Sequence, residues 1–252
     1  MKFQNEDILE NNYNDIPEDA HVLHLWEPLS SNITEDYSFV HDSFIFNFFS
    51  NLLYVIAFPI LWLYTKVFLD FKITGKENLT SVKGSKITVS NHVHFLDCVM
   101  NGLANFPKKT FFISLESNFR IPIVKTLITL LNAIPIPDKT QFKAKFIESL
   151  DNLLKTNKTI HFYPEGSLWP YYNEIRHFKN GAFNIAVRNN VPIIPFVFHF
   201  VEPYGFRKFF RKKPFVHLDI LSPEYPSIDL PKKESIEELK IRVFKKMYNH
   251  IK

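Results

Sequence analysis

The sequence predicts an α/β protein, a mixed, mostly parallel sheet flanked by helices, preceded by an N-terminal membrane-associated helical segment. Three observations predict it. From about residue 70 onward, short apolar, β-branched runs alternate with segments of helical periodicity, the pattern of a sheet covered by helices. Ahead of that region, Ser43 to Thr65 is a stretch of 23 residues without a charge. Finally, the apolar run Ile87-Thr88-Val89-Ser90 leads directly into Asn91-His92, placing a histidine in a turn at a strand's carboxyl end, where α/β sheets build their sites.

The 252 residues suit one large α/β domain with an appendage. Twenty-seven phenylalanines and an ordinary charge content exclude a disordered chain. One cysteine, Cys98, excludes an internal disulfide framework and fits a reducing compartment; beside Asp97 it reads as a small buried residue of the motif helix rather than a nucleophile. The net charge of +4 conceals an asymmetry, because residues 1–42 carry Lys2 against ten acids and the remainder 29 bases against 16 acids, so −9 faces +13. A basic body suits an anionic membrane face or phosphorylated and acyl-carrier substrates.

In chain order, residues 1–42 form an acidic, polar segment without a secretory signal. Residues 43–69 read as a membrane-associated helical anchor. Pro59 is expected to divide it into a helix pair lying in one leaflet, with a true span as the alternative and a soluble core helix as a third. The third domain, residues 70–252, carries strands over 71–74, 86–90, 110–114, 133–137, 159–163, 192–200 and 215–221. Its helices are expected over 95–104, 122–131, 141–154, 181–189 and 236–250. The helix from Gln141 puts Phe142, Phe146, Leu150, Leu153 and Leu154 on one stripe. The last helix is expected to open on a Ser235-x-x-Glu238 capping box, followed by Ile236, Leu239, Val243 and Met247 at helical spacing.

The chemistry concentrates in Asn91-His92-Val93-His94-Phe95-Leu96-Asp97. An imidazole is a useful base when a carboxylate holds one ring nitrogen and leaves the other free. On its own the segment reads equally as a histidine capping a helix and an aspartate in its first turn. A second stretch, Phe162-Tyr163-Pro164-Glu165-Gly166-Ser167, also follows an apolar run. Downstream come Phe178-Lys179-Asn180-Gly181-Ala182 and Val191-Pro192-Ile193-Ile194-Pro195.

This ordered set resembles the phospholipid/glycerol acyltransferase superfamily over residues 70 to 220. Asn91, His92 and Asp97 match its Asn-His-x4-Asp motif. Pro164, Glu165 and Gly166 match Phe-Pro-Glu-Gly-Thr-Arg, with Tyr163 and Ser167 as close replacements. Val191 to Pro195 matches the apolar Val-Pro-Ile-x-Pro segment, and Asn132 to Lys139 a weaker motif that usually begins with Gly and ends with Arg. The resemblance implies the glycerolipid acyltransferase fold, with residues 70–252 as the catalytic domain. It implies His92 and Asp97 as the catalytic pair without a covalent acyl-enzyme, and Glu165 as a carboxylate of the catalytic pocket. Asn91, Gly166 and Ser167 then belong to substrate binding, the turn 164–167 offering backbone N–H groups to the substrate.

One departure bears on the acceptor. Leu168 stands where the family motif continues with the arginine assigned to the acceptor's phosphate, and Lys179, Arg176 and Lys139, in that order, are the candidate replacements. His92-x-His94 invites a metal, but no cysteine cluster or His-Glu-x-x-His accompanies it, and with six glycines no phosphate-cradling loop is found, so neither metal nor cofactor is expected. Phe206-Arg207-Lys208-Phe209-Phe210-Arg211-Lys212-Lys213 mixes five cations with three aromatic rings. It reads as a contact with anionic lipid in preference to nucleic acid or a plain solvated loop.

The expected activity is therefore transfer of a fatty acyl group from acyl-CoA or acyl-carrier protein to a lyso-lipid hydroxyl, foremost 1-acylglycerol-3-phosphate, at the cytoplasmic face of a membrane. Leu168 keeps a second reading in view, the same chemistry on an unphosphorylated lyso-lipid, glycolipid or amino-lipid. A third, a catalytically silent lipid-binding protein, has the intact His92–Asp97 pair against it.

Overall fold

The computed structural model describes residues 33–252, so most of the acidic N-terminal segment lies outside the described residues. A seven-stranded sheet forms the centre: β1 (Lys72–Thr74), β2 (Lys86–Ser90), β3 (Thr110–Leu115), β4 (Ala133–Ile136), β5 (Thr159–Phe162), β6 (Ile193–Val201) and β7 (Phe215–Ile220). Their order across the sheet is β1-β7-β6-β2-β5-β3-β4. β6, β2, β5, β3 and β4 run parallel, while β7 pairs antiparallel to β6 and carries β1 alongside it. All seven expected strands are present, with ends shifted by a residue at most: most are short apolar, β-branched runs, and β7 alternates buried Val216, Leu218 and Ile220 with His217 and Asp219.

Among the described residues, seven α-helices accompany the sheet: α1 (Phe44–Phe68), α2 (Lys76–Ser81), α3 (Asp97–Asn105), α4 (Pro122–Leu130), α5 (Lys143–Lys155), α6 (Gly181–Asn189) and α7 (Lys232–Ile251). On one face, Ile87, Val89, Ile193 and Val197 of the central strands meet the α5 stripe Phe146, Leu150, Leu153 and Leu154 and Leu239, Val243 and Met247 of α7. Ile33 and Phe39, from the acidic segment, are buried in this same core, the Phe39 ring 5.6 Å from that of Phe146. On the other face, Ile194, Phe196, Phe198, Val216 and Leu218 pack with Tyr54 and Phe58 of α1 and Met100 and Leu103 of α3.

Two expectations are corrected. The expected anchor segment is one helix of 25 residues, not a pair, with Pro59 inside it. Pro59 and Val55, whose carbonyl loses its helical donor, both lie on the exposed side, while Ser50, Tyr54, Phe58 and Thr65 form a buried stripe that fastens both halves to the domain. Ser50 Oγ donates to Leu130 O (2.7 Å) and Tyr54 Oη to Leu131 O (3.2 Å), closing α1 onto the end of α4. Of its remaining surface, Phe44, Ile45, Phe48, Val55, Ile56, Ile60 and Leu63 are exposed. By length and composition α1 can cross a membrane. The second correction is at the last helix, which starts at Lys232 behind Pro231. Ser235 is thus a buried residue of its first turn rather than a cap, and Glu238 instead accepts from Ser227 Oγ at 2.9 Å.

Candidate active site

The site lies at the carboxyl ends of β2 and β5, neighbours at the centre of the sheet. β2 ends at Ser90, and the chain turns through 91–96 before α3 begins at Asp97. Asn91 anchors this turn: its Nδ2 donates to Phe198 O and its Oδ1 accepts from Phe198 N, both at 2.8 Å. It is fully buried, so it fixes the turn against β6 rather than touching a substrate.

Asp97, also fully buried, gathers the turn around one oxygen. Its Oδ2 accepts from Val93 N (2.8 Å), His94 N (3.0 Å) and His92 Nδ1 (2.9 Å). An ionised carboxylate only accepts, so Nδ1 carries the proton and Nε2 presents a lone pair. The His92 side chain is 22 % exposed, and its ring stacks on Tyr163 with centroids 3.9 Å apart and planes 21° from parallel. This is the arrangement of an oriented general base.

Glu165 connects the second motif to the first. Its Oε2 accepts from His92 N (3.2 Å) and Arg176 Nη2 (2.8 Å), and its Oε1 from Arg176 N (3.1 Å). Arg176 also donates from Nη1 to Ser167 Oγ (2.8 Å) and from Nη2 to Ser167 O, and its guanidinium lies 4.5 Å over the Trp169 ring. Glu165, Ser167 and Arg176 are all buried. Burial raises the Glu165 pKa above the ordinary carboxylate value, opposed by the adjacent Arg176 charge and the backbone donors. Arg176, a candidate for an acceptor's phosphate, is thus an internal partner of Glu165. The strap continues with Trp169 N donating to His92 O (2.9 Å) and Tyr171 N to Val93 O (2.8 Å), so both motifs form one rigid unit.

Gly166 occupies the left-handed region at φ +81°, and a Cβ there would lie 2.7 Å from Lys179 Nζ. The Lys179 side chain therefore crosses the Glu165 loop, with its backbone N–H on Pro164 O at 2.8 Å. Among the backbone donors expected for an oxyanion, the Gly166 N–H is already bonded to Tyr163 O (3.0 Å). Lys139 is not brought to this group. It follows β4 at the sheet edge, three strands from β2 and on the order of 14 Å away.

The sequence reading missed a buried network beneath the turn at 91–96. His161 on β5 bonds Thr88 Oγ1 through Nδ1 (2.8 Å) and Asn101 Nδ2 through Nε2 (3.0 Å). Asn101 Nδ2 also reaches Tyr163 Oη (3.1 Å), which donates to Cys98 Sγ (3.3 Å). Because the amide nitrogen only donates, Nε2 accepts and Nδ1 carries the proton, which it gives to Thr88 Oγ1. Burial first, and then the adjacent His92 imidazole, lower the His161 pKa to about 3. The available signal was period two: His161 and Tyr163 share one side of a strand whose intervening Phe162 points away. Cys98, expected to be buried, is exposed beside this network. His94 is buried, its Nδ1 accepts from Leu96 N at 3.1 Å, and burial lowers its pKa.

Residues 70–199 match the family model described as Acyltransferase. The chain is similar to the chloroplastic 1-acyl-sn-glycerol-3-phosphate acyltransferase LPAT1 of Arabidopsis thaliana, 30 % identical over 138 residues, or 54 % of this chain and 38 % of that protein. It is 29 % identical over 133 residues to the 1-acyl-sn-glycerol-3-phosphate acyltransferase of Saccharomyces cerevisiae, covering 51 % of this chain and 43 % of the relative. These matches thus span about two fifths of each relative's length. Among solved structures, the 1-acyl-sn-glycerophosphate acyltransferase PlsC from Thermotoga maritima aligns with a TM-score of 0.49 at 20 % identity, over 80 % of this chain and 93 % of that one. The matched region runs through both motifs and the strands that carry them, and by it the chain belongs to the acyltransferase family.

Proposed function

We propose that this protein transfers a fatty acyl group from a thioester, acyl-CoA or acyl-carrier protein, to the free hydroxyl of 1-acylglycerol-3-phosphate, giving phosphatidic acid. The observation that carries the proposal is the His92–Asp97 pair, one ring nitrogen held at 2.9 Å and the other available to a substrate. His92 Nε2 takes the hydroxyl proton as the acceptor oxygen bonds to the thioester carbonyl carbon, whose π pair moves to oxygen. Collapse of the tetrahedral intermediate breaks the C–S bond, and the imidazolium returns the proton to the departing thiolate. The buried Asp97 charge stabilises the imidazolium in between.

In this reading Glu165 is a positioning residue, because its oxygens already accept from His92 N and Arg176. Lys179, exposed and crossing Gly166, is the cation for the acceptor's phosphate in the place that Leu168 leaves unfilled. The exposed apolar surface of α1 lies in the cytoplasmic leaflet of a bilayer, where the acceptor resides. Names of relatives that act on 1-acyl-sn-glycerol-3-phosphate support the choice of acceptor.

The test is an acceptor screen with purified protein, isotope-labelled acyl donors and mass-spectrometric product identification. A labelled diacyl product from 1-acylglycerol-3-phosphate, absent with His92→Ala, is the expected result. Product from neutral lyso-lipids alone favours the second reading, with Leu168 marking an acceptor that lacks phosphate. No product from any lyso-lipid overturns the proposal.

A further inference from the structure

The cations and rings of residues 206–213 are divided by the fold into an inward and an outward set. Arg207, with its side chain half exposed, and Arg211, partly buried, both turn back onto the domain. Arg207 Nη1 pairs with Asp70 Oδ1 at 2.9 Å, and Tyr204 Oη donates to the other oxygen of the same carboxylate at 2.6 Å. Arg211 donates to the carbonyls of Phe68, Lys213 and Pro214, and its guanidinium lies 4.9 Å over the Phe215 ring. These bonds fasten the 3₁₀ turn Gly205–Phe209 to the carboxyl end of α1.

What the anchored loop sends outward is different in kind. Phe206, Phe209 and Phe210 are 76, 71 and 76 % exposed, and their ring contacts are with one another, Phe206 to Phe210 at 4.8 Å and Phe206 to Phe209 at 6.4 Å. Lys208 stands 5.3 Å from the Phe209 ring, and among the described residues neither Lys208 nor Lys212 has an ion pair. Three rings on a fastened loop, fringed by unpaired ammonium groups, match the boundary between headgroups and acyl chains of an anionic bilayer. Two features give the loop a direction. It continues the exposed apolar end of α1 at Tyr64, Val67 and Phe68. It also borders the site, since Lys213 lies 5.6 Å over the Tyr171 ring, which meets the His94 ring edge-on at 5.7 Å.

We propose that residues 205–212 form a bilayer-inserting loop specific for anionic phospholipid. The three phenylalanines enter the headgroup–acyl boundary while Lys208 and Lys212 pair with headgroup phosphates. Its effect on turnover, which alone rests on the acyl-transfer reading above, is to hold the mouth of the His92 site against the surface that carries the acceptor.

The experiment uses the full chain carrying Phe209→Trp and vesicles whose lipids are brominated in the acyl chain, either phosphatidylcholine alone or mixed with phosphatidylglycerol. Fluorescence quenching beyond that of the parent protein is expected in the mixed vesicles and much less in the neutral ones. Adding Lys208→Glu and Lys212→Glu should weaken the quenching by about thirtyfold or more in lipid concentration. Quenching absent from both vesicle types, or indifferent to the lysine changes, overturns the proposal, whatever other polyanion the loop then binds. Turnover of the lysine variant in detergent micelles should equal that of the parent and fall only on anionic vesicles. Because the quenching needs no catalysis, a chain inactive in every assay would sink the acyl-transfer reading and leave the loop's test intact.

Discussion

Asp97 accepts three hydrogen bonds on one buried oxygen, and only one comes from the group it is held to activate; the other two shape the turn. His92→Ala should therefore remove the base while sparing the turn, and Asp97→Asn should remove both the orienting charge and part of the turn's bonding. Loss of turnover by a hundred- to ten-thousand-fold is expected for each, with a lower melting temperature for Asp97→Asn alone; calorimetry beside a product assay checks both. Lys179→Ala should raise the KM for a phosphorylated lyso-lipid well above any change for its dephosphorylated counterpart, since an ammonium beside Gly166 has nothing to offer a neutral headgroup. Equal responses would remove Lys179 from the acceptor's phosphate. His161 answers to pH. Its folded-state pKa of about 3 lies below the ordinary 6.5, so on acidification the unfolded chain takes up the proton first. This contribution to stability is complete above about pH 6.5 and is lost as pH falls towards 3, at roughly 1.4 kcal/mol per unit. Denaturant titrations between pH 7 and 5 should give a steeper loss for the parent than for His161→Gln; parallel slopes would mean that His161 is not held neutral.

At the scale of elements, the strands were legible because most are short apolar or alternating runs bounded by turn residues, a signal that tertiary context rarely reverses. Helix boundaries were less so. Pro59 argues for a break when only the sequence is read, yet tertiary packing along Ser50, Tyr54, Phe58 and Thr65 keeps one helix. Ser235 and Glu238 have capping-box spacing, but Pro231 starts the helix a turn earlier. The six-residue α2 carried too short a pattern to be seen. The site's first layer was readable as two motifs. The links between them, Glu165 to His92 N and Trp169 N to His92 O, join residues some 75 positions apart in space alone. The docking of α1 can be tested where Phe58 meets Gly102 of α3. A Cβ on Gly102 would stand 3.0 Å from Phe58 Cζ, and that ring is already stacked between Tyr54 at 4.4 Å and Phe106 at 5.6 Å. In Gly102→Ala the better helix propensity, about 1 kcal/mol, should nearly offset the crowding. Gly102→Leu has no such room and should cost about 1–3 kcal/mol, read in denaturant unfolding. An unchanged Leu variant would mean that α1 does not rest on α3.

For the molecule as a whole, charge and hydrophobicity act on the same surface. In the proposed membrane association, the apolar side of α1 and the loop at 205–212 supply the lipid-facing area, while the basic excess of the body sets the long-range attraction. The opposing charge is concentrated in residues 1–32, with Lys2 against seven acids. Where to cut follows from packing. Ile33 and Phe39 are buried in the α5 face, so a deletion running through residue 69 would remove both of them and α1 together and uncover two cores. A deletion of residues 1–32 spares every buried contact described and moves the net charge from +4 to +10. The truncated protein should unfold at nearly the parent's temperature. At low ionic strength it should partition several-fold more strongly onto anionic vesicles. That advantage should fade as salt approaches about 1 M, where the Debye length is only ~3 Å, leaving the apolar contribution common to both proteins. Vesicle co-sedimentation across a salt series decides the matter. Identical binding curves for the two proteins at low salt would show that the acidic segment does not act on the basic, lipid-facing surface.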